Sequence, residues 1–556
     1  VDPFAKTLAG EGEITYYNNS PDTLGSVTFF LYHDLYAKRS ARDDDINPAL
    51  LTDGVVIEEI RIDDGAVDME NKSVARRTGT RLILYLGKPL DPDSSAKFFF
   101  RWRFTIPGDG FERSGAYDST SMFIAYWYPE VAVYDDIDGW DRTDYTGGVE
   151  FYHDYSDFRI RIEVPENFLV WASAAPSNPE EVYPDLIMKK LIEVNENKAT
   201  SIVNEDDLRQ GIRTGGIWKY EARNFPDFSF ALSDHYLWDA RLFKSDTRYF
   251  LNTVYPVYQK GFSVVSQASY EALGVFTGSM PAFPFPFKYF TAFNGLHGGG
   301  MEFAGMINDT FSDSARMQST RTNLELNRGL TYHEMFHQYF PFYMGINEKK
   351  YAWMDEGWAT FTNFLHRGSS RRMDLSSSAR LSSPPIMVPS NITPRNFYLN
   401  SYTLAACSYY MLQQHLGDRT FVECLQEYIN RWKQKHPTPY DFFNTFSNVS
   451  GQNLDWFWKS WYFDWGYMDL GINSISGSTV EIQNYGGKPV AANVILTYKD
   501  GSPGELSIQP SVWKEDHKYF LSIPGKKKPV KAEIFVPRWG DAVKENDILY
   551  LEVSKK

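Results

Sequence analysis

The chain has 556 residues but only two cysteines, Cys407 and Cys424. So few thiols exclude a disulfide framework and a Cys-ligated cluster, and any metal must be held by histidines and carboxylates. Both cysteines fall on neighbouring helical patterns and read as small buried hydrophobes. Long apolar runs are missing too. No window approaches 18 consecutive apolar residues, and the greasiest stretch, from Phe283 to Phe293, is broken by proline and lysine. An integral membrane segment is therefore not expected. Basic charge is in short supply: 56 Lys and Arg face 71 Asp and Glu, a net charge of −15. That field repels phosphate backbones and anionic lipid, so nucleic acid is not an expected partner. Val1 opens no basic segment followed by an apolar one, so a mature or trimmed form is expected. A periplasmic or secreted location is expected if an export signal was removed, and a cytoplasmic one otherwise.

Aromatics, in contrast, make up 16% of the chain and hydrophobic residues 43%, enough for sizeable cores and too much for extended disorder. The length predicts about three domains. Residues 1–240 read as strands: Glu13–Tyr17, Val27–Leu31, Arg81–Leu86 and Phe158–Val164 alternate or are rich in β-formers, with Asn, Gly, Pro and Asp between them. From 241 to 470 apolar residues recur three and four apart, as in Ser401–Leu416 and Arg419–Trp432, and predict helices. The Ser/Pro-rich stretch 376–394 inside this region reads as a surface loop. Short alternating segments return over 471–556, among them Thr479–Ile482 and Ala491–Tyr498, and predict a small C-terminal β-sandwich. The expected fold is multidomain α+β.

Within the helical region, Thr331–Phe340 contains His333-Glu334-Met335-Phe336-His337. On a helix the two histidines stand one turn apart on one face and can converge on one ion, while Glu334 lies about 100° round, able to reach water but not to ligate. Two core histidines would give the same spacing. A carboxylate nineteen positions beyond His337, Glu356 in Asp355-Glu356-Gly357-Trp358, would complete a two-His, one-Glu site with an open fourth position, the pattern of catalytic zinc.

With these residues in view the chain resembles the gluzincin aminopeptidases, the superfamily of aminopeptidase N and leukotriene hydrolase. Gly299-Gly300-Met301-Glu302-Phe303 is similar to that superfamily's Gly-x-Met-Glu-Asn exopeptidase motif. Ser401-Tyr402-Thr403 before Leu416-Gly417 resembles the helix bearing its catalytic tyrosine. Asn18–Leu24, Trp127-Tyr128-Pro129 with Val133–Asp136, and Asp455-Trp456-Phe457 resemble bacterial members, so the likeness runs along nearly the whole chain. It implies a thermolysin-like catalytic domain over 241–470 and one Zn2+ per chain on His333, His337 and Glu356. It further implies Glu334 as general base and Tyr402 as donor to the developing oxyanion. Gly299, Gly300, Met301 and Glu302 would bind substrate, with the Glu302 carboxylate pairing a free α-ammonium.

Phe303 and Thr403 depart from the superfamily pattern, which has Asn and commonly an acid at these places, and the helical C-terminal domain of many relatives is not expected. Tyr126 stands near where some relatives place a second amine-binding Gln or Glu. His297, beside the glycines, reads as a loop histidine. The implied activity is removal of N-terminal residues from peptide substrates. Hydrolysis of another bond, endopeptidase action, and a catalytically silent peptide-binding relative are the alternatives.

Overall fold

Alternation in the strand Ser95–Thr105 builds the first layer. Ala96, Phe98, Phe100, Trp102 and Phe104 point inward and their neighbours outward, as a period of two requires. This strand lies between Thr7–Tyr17 and Val56–Ile62 in an antiparallel sheet. A second sheet, ordered Glu130–Val131, Leu24–Phe30, Arg81–Leu90, Ala75–Thr78, packs on it through Phe29, whose ring meets Phe98 and Phe100 edge-on at 5.0 Å each. Burying each such ring contributes on the order of 1.5–3 kcal/mol.

The protein is described by a computed structural model over residues 1–108, 113–311, 320–366, 384–392, 396–525, 527–536 and 541–551. Most of the loop expected at 376–394 lies outside the described residues. The chain divides into two compact units, Val1–Lys349 and Lys350–Lys556. Residue 240, expected to end the β domain, falls inside the strand Tyr236–Lys244, which pairs antiparallel with Arg248–Pro256. The sheet thus runs through the change in composition, because a tight hairpin joins the two strands. No helix among the described residues is long and apolar enough to cross a membrane.

In the first unit a six-stranded sheet positions the site. Its order is Thr200–Val203, Tyr236–Lys244, Arg248–Pro256, Tyr289–Phe293, Met306–Asn308, Glu302–Phe303. The helix Val264–Gly278 carries the chain from Arg248–Pro256 to the parallel strand Tyr289–Phe293, as a parallel pair demands. Against it lies the helix Thr320–Phe336. Phe276 meets Tyr332, Phe336 and Tyr339 at 5.6, 5.1 and 6.2 Å, and Arg328 pairs with Glu271 at 2.7 Å.

The second unit is helical to Phe463 and then β. Its helical core is aromatic: Trp358 stacks on Tyr409 at 3.9 Å, and Trp353 on Phe443 at 6.1 Å. Cys407 and Cys424 are free and buried there. Two antiparallel sheets follow, one ordered Leu470–Ser476, Thr479–Asn484, Lys518–Ser522 and the other Pro503–Ile508, Ala492–Tyr498, Pro529–Phe535, Ile548–Tyr550. Val480, Ile482, Val494, Leu496 and Ile534 form the buried interior.

One charged cluster ties the turn at Asp118 to the turn at Asp234. His235 Nδ1 meets Asp234 at 2.6 Å and Nε2 meets Asp118 at 3.2 Å, next to Tyr117, whose hydroxyl accepts from Asn308 at 2.6 Å. The two carboxylates raise the His235 pKa from 6.5 to about 9. A raised folded value means the stabilisation is fully present below about pH 6.5 and disappears as pH rises through 9. The Tm difference between wild type and His235→Gln should therefore be largest near pH 6 and close to nothing at pH 10. A difference that grows with pH would contradict this linkage.

Candidate metal and substrate site

The first half of the site comes from one helix and its termination. Tyr332, Phe336 and Tyr339 occupy an apolar stripe, i, i+4 and i+7, turned onto Phe276, which sets His333 and His337 on the adjoining stripe. Their rings lie 4.9 Å apart, centroid to centroid, at 82°. The helix stops because Pro341 follows: the residue before a proline is pushed out of the helical region, and Phe340 is extended with φ −131° and ψ 113°. Its carbonyl consequently turns back onto the His337 ring, 3.1 Å from Nδ1. A carbonyl can only accept, so Nδ1 carries the proton and Nε2 keeps its lone pair. This is the tautomer a metal-ligating histidine needs, and the donor set of two imidazoles fits zinc.

The strand Glu302–Phe303 supplies the other side of this half. Carboxylate atoms of Glu302 and Glu334 and a ring nitrogen of His337 all lie within 4.8 Å of one another, and the three residues are buried. Gly299, with φ +75°, and Gly300 bring the backbone close. A Cβ on Gly300 would sit 2.5 Å from Glu334 Oε1. Met301 is buried, and its N–H and C=O exchange hydrogen bonds with Asn308. His297 is exposed.

The second unit holds the other two expected residues. Glu356 opens the helix Glu356–His366, and Gly357 lets that helix close on its neighbour, since a Cβ there would lie 2.5 Å from the Cβ of Ala405. The Tyr402 hydroxyl donates to Glu356. Of the nearby tyrosines, Tyr409 donates instead to the Trp353 carbonyl, and Tyr398 is exposed.

Spacing in the sequence did not point to a further group in the first unit. Carboxylate oxygens of Glu150 and Glu348 lie within 4.8 Å of one another and of Glu302. Arg113 donates to Glu150 at 2.6 Å and lies 4.9 Å over the Phe151 ring. Burial opposes ionisation of Glu150, but the Arg113 guanidinium outweighs it and holds the carboxyl below its ordinary value. Tyr126 packs here, 4.0 Å from Phe151 and 6.0 Å from Phe303, and burial raises its phenol well above the usual value. The acid at 150 within the apolar run Val149-Glu150-Phe151-Tyr152 was the one available signal.

Residues 277–461 match the Peptidase family M1 domain. Aminopeptidase M1-D of Oryza sativa subsp. japonica is 24% identical over 222 residues, 36% of this chain and 25% of that protein. Probable aminopeptidase 2 of Sulfurisphaera tokodaii is 24% identical over 207 residues, 33% and 26% of the two chains. The matches thus span about a quarter of the length of these curated relatives. Among solved structures, a point variant of the M1 zinc metallopeptidase from Deinococcus radiodurans superposes with a TM-score of 0.55 at 13% identity, covering 83% of this chain and 91% of that one. Legionella pneumophila aminopeptidase A in complex with aspartic acid gives 0.63 at 11% identity, covering 95% and 56%. At such identities the structures establish the shared fold: mixed α+β, with an N-terminal β-sheet domain followed by a helical region. The sequence similarity to the Peptidase family M1 domain thus lies in residues 277–461, the stretch that holds His333, His337, Glu356 and Tyr402.

The close approach at Gly300 yields a structural prediction. In Gly300→Ala the Glu334 carboxylate must retreat by about 1 Å to reach ordinary van der Waals separation. A crystal structure of the variant should show that displacement together with an unmoved His333–His337 pair. An unmoved Glu334 would contradict the contact.

Proposed function

We propose that the chain is a zinc-dependent aminopeptidase releasing N-terminal residues from peptides, with one Zn2+ per chain held by His333, His337 and Glu356. The observation that carries this reading is Glu302, a buried carboxylate beside Glu334 and His337. A carboxylate there suits a charged α-ammonium and disfavours a neutral amide, whose approach leaves the buried charge unpaired. The M1 domain over 277–461 and the aminopeptidase names of the relatives support it.

A zinc ion, when bound, supplies Lewis acidity that brings the pKa of water towards about 7 and polarises the scissile carbonyl. The remaining work falls to side chains. Glu334 accepts a proton from water at its carboxylate and delivers it to the leaving amine. Glu302 fixes the α-ammonium, and the backbone at Gly299, Gly300 and Met301 lines the chain of the bound residue. Tyr402 donates its phenolic hydrogen to the carbonyl oxygen as charge develops there, a role worth roughly 3 kcal/mol. Its hydrogen bond to Glu356 keeps the phenol beside a proposed ligand until substrate arrives.

Glu334→Gln should keep zinc and fold while kcat falls by roughly 10²- to 10⁴-fold, the usual worth of a general base. Retention of a tenth of kcat would remove that role. The reading itself is tested by kcat/KM for one short peptide with and without an N-acetyl group, in wild type and Glu302→Gln. Wild type should strongly prefer the free amine, and Glu302→Gln should lose most of the preference. Equal cleavage of both peptides by wild type would mean an endopeptidase, and zinc binding without hydrolysis of either would mean a silent relative.

A further inference from the structure

Gln338 directly follows the second histidine and is fully buried. Its amide makes two hydrogen bonds to one short turn. Oε1 accepts from the Gly305 N–H at 2.8 Å, and Nε2 donates to the Phe303 carbonyl at 3.1 Å. That turn joins Glu302–Phe303 to Met306–Asn308, with Glu302 opposite Ile307 and Phe303 opposite Met306. Glu302–Phe303 is an edge strand, so its outward backbone groups face no further strand. The Gln338 side chain gives the turn that closes this strand a second attachment, to the end of the helix rather than to another strand. Ser173 holds the turn from another side: a Cβ on Gly305, where φ is +74°, would lie 2.5 Å from the Ser173 carbonyl oxygen.

From this geometry we infer that Gln338 is a positioning residue, fixing the separation between Glu302 on the sheet edge and the His337–Glu334 pair on the helix. The inference rests on the aminopeptidase reading, in which Glu302 binds the α-ammonium. One hydrogen bond would leave the strand free to swivel about it. A donor and an acceptor on one planar amide fix both distance and rotation. The leverage is short, because Phe303 adjoins Glu302 and Gln338 adjoins His337. Productive geometry tolerates only about 0.5 Å of drift, and a misplacement of about 1 Å is enough for a rate loss on the order of 10²-fold.

The test is a double-mutant cycle between Gln338→Met and Glu302→Gln, read as kcat and KM separately on a short unblocked peptide, with zinc content measured for every variant. Methionine fills a similar volume without either hydrogen bond, whereas Gln338→Glu retains the acceptor for Gly305. If Gln338 acts through Glu302, Gln338→Met keeps its zinc and raises KM by about tenfold or more with a smaller change in kcat. On the Glu302→Gln background it adds less than about twofold, because coupled residues are non-additive. Gln338→Glu should recover part of the loss, and it carries the same cycle if Gln338→Met does not fold. Full multiplication of the two losses, or an unchanged KM, would overturn the inference while leaving the aminopeptidase reading intact. Wild type that cleaves free and acetylated peptides equally would overturn both.

Discussion

The hydrogen bond between the His337 ring and the Phe340 carbonyl, 3.1 Å long, links chain geometry to chemistry at this site. It exists because Pro341 forces Phe340 out of the helix, and it leaves the far nitrogen of His337 as a lone-pair donor. Without it the ring could present either nitrogen. The same helix termination places Gln338 against the turn that follows Glu302. The end of one helix thus sets both the tautomer of a proposed ligand and the position of the proposed amine-binding carboxylate.

Glu302 also joins two sets of buried acids, one with Glu334 and His337 and another with Glu150 and Glu348. Burying carboxylates side by side is expensive unless they are paired. Arg113 meets part of that cost through its 2.6 Å contact with Glu150, and a bound α-ammonium would meet more. A cluster of buried acids favours cationic over neutral groups, as the proposed role of Glu302 requires. Removing Arg113 would leave Glu150 buried without its counter-charge, so this pair supports the acid cluster.

Local patterns were legible in the sequence, and distant pairings were not. The strand containing Arg81–Leu86 announced itself because Leu82 and Leu84 are buried in alternation with less buried neighbours, and Glu13–Tyr17 because Ile14 and Tyr16 pack half-buried against the core. Leu169–Ala172 and Met122–Ile124 gave no such signal, since every residue in them is buried. The His-x-x-x-His spacing is local to one helix and could be read directly. Glu302 was reached through resemblance of the glycine-rich segment to a known motif. Arg113, Glu150 and Glu348 come from segments 37 or more residues apart that only the fold brings together. The wide helical turn Leu399–Leu404 before Ala405–Leu416 was also hidden, because apolar spacing continues through it.

The proposed function requires one metal on His333, His337 and Glu356 and an amine-binding carboxylate at Glu302. A crystal structure of the zinc-loaded protein with a free amino acid bound, using anomalous scattering at the zinc edge, tests it most directly. One strong peak is expected at roughly 2.0–2.2 Å from Nε2 of His337, a ring nitrogen of His333 and an oxygen of Glu356, with the ligand's ammonium against the Glu302 carboxylate. A peak elsewhere, or an ammonium directed away from Glu302, would contradict it.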